Sequence, residues 1–116
     1  MKTWKTSRAD QTFSLHVRER DGRCLKCYST NDLTCSHYWR RGHSATRFDL
    51  DNCITLCVWC HSEWENKKNN EYRDFMIQRL GKSKYEELEK RARSFKNRGE
   101  AVEEWRLYLS SLQTTH

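Results

Sequence analysis

Apolar residues recur along this chain with two different periods, and the switches between them mark out the elements. Phe13 and Val17 lie one turn apart and predict a helix over residues 7–20, capped by Ser7 or Asp10 and ended by Asp21-Gly22. Residues 33–39 have the β-branched and aromatic content of a short strand, and residues 53–56 predict a second, entered through Asp49-Leu50-Asp51-Asn52. A helix is expected at once after it, beginning near Cys57 and Cys60 and carrying His61, Trp64 and Glu65; residues 66–70 form a poor helix interior and predict a break. Tyr72, Phe75, Met76 and Leu80 then recur at helical spacing up to Gly81. Ser83 and Glu86 read as a capping box for a further helix with the stripe Tyr85, Leu88, Ala92 and Phe95, ended by Gly99. A last helix from about Glu100 places Val102, Trp105, Leu109 and Leu112 on one face. The pattern predicts an α+β fold in one domain over residues 1–116: an N-terminal helix at 7–20, a strand–strand–helix core within 21–70, and C-terminal helices over 71–113.

Composition adds a constraint. Only 35% of the 116 residues are hydrophobic and 33% are charged, so the apolar surface available for burial is limited and a further staple is expected. No stretch is long and apolar enough to span a membrane, and residues 1–8 lack the apolar run of a secretory signal. Six cysteines without a signal point to reduced thiols in a cytoplasm, not to disulfides. The net charge of +6 suits a polyanionic partner or a merely soluble basic surface.

The spacing of the cysteines supplies the staple. Cys24-Leu-Lys-Cys27 and Cys57-Val-Trp-Cys60 are two tight turns, each aiming two thiols at one centre. Four thiolates at tetrahedral geometry satisfy Zn²⁺ and leave no open position, so the metal they imply is structural. Such a site contributes about 10–16 kcal/mol in small peptides, comparable to the whole stability of a small domain at about 5–15 kcal/mol. A redox pair would need one such turn, not two facing each other. Cys35 and Cys53 fall outside the pairs and read as small core residues. His16, beside the apolar face of the first helix, reads as packing or surface.

Inside the cysteine frame lie residues suited to cutting a phosphodiester, which requires an activated water, a held phosphate and a neutralised leaving oxygen. His37 is the candidate base, because an imidazole is usable near neutral pH. His61 and Glu65, four apart on the helix after Cys60, point the same way and form a seat for a divalent cation acting as a Lewis acid. Asn52 is placed to hold the loop and orient the histidine. Residues 40–47 form a polar, basic loop in which Arg40, Arg41 and Arg47 are candidates for phosphate contact.

These residues together carry a resemblance. His37, Asn52 and His61, with Asn52, Leu56, Cys57, Cys60 and His61 in the pattern Asn-x-x-x-Leu-Cys-x-x-Cys-His, resemble the HNH nucleases of the ββα-metal type. Val17-Arg-Glu-Arg-Asp-Gly-Arg-Cys24, Cys35-Ser-His-Tyr38, Arg40-Arg41, Ala45-Thr-Arg-Phe-Asp49, Asp51-Asn52 and Glu71-Tyr72 leading to Arg79-Leu-Gly81 are more closely similar to the phage NinG/Rap recombination nucleases, over roughly residues 10–95. The resemblance implies a DNA endonuclease acting on branched recombination intermediates such as Holliday junctions, D-loops and flaps, with Mg²⁺ or Mn²⁺, in a host bacterial cytoplasm. It implies His37 as general base, His61 as a ligand of the catalytic metal and Asn52 as the orienting amide. One departure stands out. Many HNH nucleases carry an aspartate ligand just before the base, and this chain has Ser36; Glu65, or failing it Asp49, is expected to supply the oxygen. A two-fold junction further suggests a homodimer built on the apolar faces of the C-terminal helices. The competing readings are a non-catalytic zinc module that binds DNA through its basic loop, and a nuclease acting on RNA.

Overall fold

The computed structural model describes residues 4–113, so the beginning of the stretch read for a secretory signal lies outside the described residues. The architecture is α+β: helix α1 (Thr6–Asp21), strand β1 (Leu33–His37), strand β2 (Cys53–Cys57), helix α2 (Val58–Asn66), then α3 (Asn69–Leu80), α4 (Lys82–Arg93) and α5 (Arg98–Gln113). Two short 3-10 turns, Ser44–Thr46 and Leu50–Asn52, shape the connection between the strands. β1 and β2 pair antiparallel, with Leu33 opposite Cys57 and His37 opposite Cys53.

Every residue of β2 is buried, because this two-stranded sheet is covered on both faces. Ile54 and Leu56 pack with Trp64, Tyr72 and Met76 on the side of α2 and α3. Cys53 packs on the other side with Ala9, Phe13 and Val17 of α1 and with Val102 and Trp105 of α5. A strand in that position cannot leave backbone groups to solvent, so its outer edge must be matched by other means. Arg20 donates to the carbonyls of Leu50 (3.0 Å) and Cys53 (2.7 Å), the Asp21 carboxylate accepts from the Thr55 N–H (2.9 Å), and the Leu25 N–H donates to the Thr55 carbonyl (3.0 Å). The end of α1 and the first cysteine turn thus stand in for a third strand.

Several boundaries differ from the sequence expectation, each for a local reason. α1 starts at Thr6 after an extended Lys5 with no side-chain cap, so neither Ser7 nor Asp10 caps it; Asp10 sits inside the helix, held by Arg47. The Ser83/Glu86 capping box does not form, because Gly81 at φ +85° ends α3 and α4 begins immediately after it. α4 ends at Arg93, which leaves Phe95 outside the helix and 92% exposed. Gly99 therefore ends nothing: it lies in the first turn of α5, where the Asn97 side chain accepts from the Glu100 N–H (2.8 Å). The expected break does occur, between α2 and α3.

The first half of the apolar stripe of α5 is used within the chain. Val102 and Trp105 are buried against α1, where the Trp105 ring meets Phe13 edge-on at 4.9 Å and its N–H donates to Thr12 (2.9 Å). Leu112, the last residue of that stripe, stays 43% exposed. His16 stacks its edge on Trp105 and Tyr108, which is the packing role expected of it. Phe13 is the hub of this cluster, wholly buried with Phe48 and His37 also within ring-contact distance. Phe13→Ala is expected to lower unfolding free energy by about 3–5 kcal/mol, the usual cost of an emptied aromatic site; denaturant titration showing less than about 1 kcal/mol would mean that the core closes over the space.

Candidate functional site

The two cysteine turns meet. Cys24, Cys27, Cys57 and Cys60 bring their sulfur atoms within 4.8 Å of one another, with Cys24, Cys57 and Cys60 buried and Cys27 exposed. A zinc tetrahedron with bonds of about 2.3 Å has sulfur–sulfur edges of about 3.8 Å, and Cys27 Sγ stands 3.8 Å from Cys57 Sγ. The Cys27 N–H points at Cys24 Sγ (3.5 Å), the kind of weak donor that steadies a thiolate. These four residues fit a structural zinc ion. Its position at the junction of the first turn, β2 and α2 would tie residues 24–27 to the start of the helix that carries His61.

On the far side of the sheet pair, an open cleft of about 450 Å³ runs alongside β1, lined by Asp10 and Ser14 of α1, Cys35 and His37 of β1, Arg40 and Arg41 of the loop, and His61 and Glu65 of α2. The geometry places one hydrogen on each histidine. His37 Nε2 lies 2.9 Å from the Arg47 carbonyl, which can only accept, so Nε2 carries the hydrogen and Nδ1 keeps the lone pair. At His61, the Thr34 hydroxyl gives its proton to the Leu56 carbonyl (2.7 Å) and so accepts from His61 Nδ1 (2.8 Å). His61 Nε2 therefore points its lone pair, or a proton, at Glu65 Oε2, 2.5 Å away. His61 Nε2 and the Glu65 carboxylate thus converge within one turn of α2 at the wall of the cleft.

Asn52 is wholly buried and has its amide filled: Oδ1 accepts from the Trp39 N–H (2.8 Å), and Nδ2 donates to the carbonyls of Trp39 (2.9 Å) and Thr46 (3.1 Å). The amide pins both ends of loop 39–46, and the next carbonyl along, that of Arg47, is the one that holds His37. Asn52 is thus two steps from the imidazole and positions it through the loop.

The expected arginines divide. Arg40 and Arg41 line the cleft, Arg41 standing 3.6 Å from the Asp10 carboxylate, whereas the Arg47 guanidinium holds Asp10 in a two-pronged pair (3.0 and 2.7 Å) and braces the loop against α1. Asp49, the second expected oxygen ligand, does not join the cleft: its carboxylate accepts from Arg91 of α4 (2.7 Å) and from the Asp51 N–H (3.0 Å). Ser36 is wholly buried on the opposite face of β1 from His37 and bonds to the Tyr72 hydroxyl (2.7 Å). Glu65 is the expected oxygen that the fold does bring to His61. Asp10, Ser14 and Cys35 were not anticipated in the cleft; the four-residue step from Asp10 to Ser14, one helical turn, was the available signal for the first two. Cys35, read as core, is only half-buried, because the sheet edge on which it sits faces the cleft and not another strand.

A family model describing the bacteriophage lambda NinG protein matches residues 1–114. The chain belongs to the NinG family. No curated protein and no solved structure matches it. Among the described residues of this NinG-family chain, no helix is long and apolar enough to cross a membrane.

Burial pushes His37 down to about 4, with the nearby Arg41 acting in the same direction and the bond to the Arg47 carbonyl opposing it. The unfolded chain takes up this proton around pH 6.5, the folded chain only near pH 4, so stability falls as pH drops through that window. An NMR titration should find the His37 ring neutral down to about pH 4; a midpoint near its ordinary value would contradict its burial. Stripping metal from the purified protein with a strong chelator under reducing conditions should abolish its cooperative thermal transition, because about 10–16 kcal/mol would be withdrawn from a marginal fold. An unchanged melt of demonstrably metal-free protein would show that the cysteine frame needs no ion.

Proposed function

We propose that this NinG-family chain is a metal-dependent DNA endonuclease of the ββα-metal (HNH) type that hydrolyses phosphodiester bonds in branched recombination intermediates. The observation that carries the reading is the convergence, in one cleft, of a neutral imidazole with a free Nδ1 and a His61–Glu65 donor pair. β1, β2 and α2 follow one another in the order that such a unit requires.

In this reading His37 Nδ1 takes the proton from the attacking water, while its Nε2–H, bonded to the Arg47 carbonyl, stops the ring from turning and steadies the charge that it acquires. Asp10, an anion in the same cleft, offsets the positive charge on the protonated ring. A depressed affinity for protons keeps the base unprotonated at neutral pH while weakening it as a proton acceptor, so charge from Asp10 matters as the proton moves. His61 Nε2 and Glu65 would hold Mg²⁺ or Mn²⁺, which when bound supplies Lewis-acid stabilisation of charge on the leaving oxygen. Arg40 and Arg41, on the loop beside the cleft, hold the phosphate against the base. Asn52 and Arg47 act as positioning residues, the first through the loop and the second through its carbonyl and its bond to Asp10.

The test is nicking of four-way-junction and flap DNA with Mg²⁺, alongside RNA of the same sequence. His37→Ala should lower the rate at least about a hundredfold, the usual worth of a general base, while junction binding measured without Mg²⁺ stays within about threefold. Equal nicking by both proteins would remove His37 from the reaction. Tight binding with no nicking by wild type would favour the non-catalytic zinc module, and preferential cutting of RNA would reassign the substrate.

A further inference from the structure

A second group of metal-binding side chains lies on the face of β1 opposite Ser36. Cys35 and His37 alternate onto the same face of the strand, and Cys53 stands directly across from His37 in the pairing register. Their ligand atoms all fall within 4.8 Å of one another. Cys53 is wholly buried beneath α1, whereas Cys35 and His37 open onto the cleft. Neither thiol belongs to the four-cysteine frame, and the nuclease reading uses neither.

We infer that Cys35, His37 and Cys53 form a second, soft-metal site that takes Zn²⁺ and, by occupying the lone pair of His37, switches the cleft off. Two thiolates and one neutral imidazole form a three-ligand zinc set that leaves a fourth position for a water, which the cleft beside Cys35 and His37 would admit. Each thiol surrenders its proton as its sulfur bonds the metal, so binding releases two protons and leaves a centre with no net charge, suited to a place that is largely buried. The histidine is already arranged for ligation: a metal-binding imidazole characteristically donates its other N–H to a backbone carbonyl, and His37 Nε2 does so to Arg47, leaving Nδ1 for the ion. Sulfur ligands select Zn²⁺ over Mg²⁺, while the His61–Glu65 pair offers the nitrogen and oxygen that harder ions accept. The same cleft would thus hold an activating hard ion and an inhibiting soft ion at different side chains, and zinc availability would set the activity.

The inhibitory half rests on the proposed nuclease reading; the metal-binding half does not, and the experiment separates them. Full-length protein is equilibrated with Zn²⁺ under a non-chelating reductant, dialysed, and its zinc counted per chain, for wild type, Cys35→Ser and Cys53→Ala, with thermal melts to establish that each is folded. Two ions are expected in wild type and one in each variant, and Co²⁺ loading should show thiolate-to-cobalt absorption from the second equivalent in wild type alone. One ion in wild type, or two in folded Cys35→Ser, would overturn the site. In the activity arm, junction nicking with Mg²⁺ is measured with and without added zinc. Zinc should slow wild type at least about tenfold, through the loss of the base, and should leave Cys35→Ser within about twofold of its own zinc-free rate. Equal inhibition of both, or full activity of wild type carrying two ions, would overturn the switch. If no zinc-free protein nicks, the nuclease reading falls and the inhibitory half with it, while the zinc count still decides the site.

Discussion

A strand buried on both faces and along both edges has no water to fall back on, and that constraint on Cys53–Cys57 shapes the rest of this small protein. One edge is matched by β1; the other is matched by the Arg20 and Asp21 side chains at the end of α1 and by the backbone of the first cysteine turn. An unpaired buried backbone group costs about 1–3 kcal/mol, so these bonds, weak singly, forbid α1 and the cysteine turn from sitting anywhere else. The four-cysteine cluster lies at the far end of the same strand. It supplements a core that 116 residues with so many charges could not make large.

The same fixed strand sets the chemistry of the cleft by one-way hydrogen bonding. A carbonyl can only accept, so the Arg47 carbonyl dictates the tautomer of His37, and the Leu56 carbonyl, acting through the Thr34 hydroxyl, dictates that of His61. His37 Nδ1 and His61 Nε2 are thereby left without a backbone partner. Asn52 sits upstream of one of these choices. Its buried amide holds the loop whose next carbonyl aims His37, which explains why an amide, with donor and acceptor on one side chain, suits this place and a carboxylate would not.

Much of this was legible in the residues. The β-branched and aromatic content of Leu33–His37 and Cys53–Cys57 and the helical period of Asn69–Leu80 declare their elements, and the paired cysteines announce their meeting by spacing alone. What was hidden depends on partners distant in sequence. Nothing near Arg47 reveals that Asp10 will take its guanidinium, and nothing near Asp49 reveals Arg91. The capping box at Ser83 failed because Gly81 had already turned the chain, so a strong local signal lost to an earlier one. Cys35 read as core because it sits in a candidate strand; among the described residues no third strand pairs with β1, and that opens it to the cleft.

Ser36 belongs to the core and not to the cleft. Its hydroxyl is wholly buried and bonded to Tyr72, which belongs to the same apolar cluster as Trp64 and Met76, so this position has been absorbed into the core. A carboxylate there would have to be desolvated beside a phenol, at a cost of several kcal/mol unless a cation paid it back. The nearest oxygen to His61 comes instead from Glu65, one turn along the same helix. A nitrogen and an oxygen on one rigid element keep their separation whatever the strands do, whereas a ligand on β1 and one on α2 would depend on how the helix packs across the sheet. His61 and Glu65 are therefore held together by α2 alone, while the other face of β1 sets Cys35 and His37 beside Cys53.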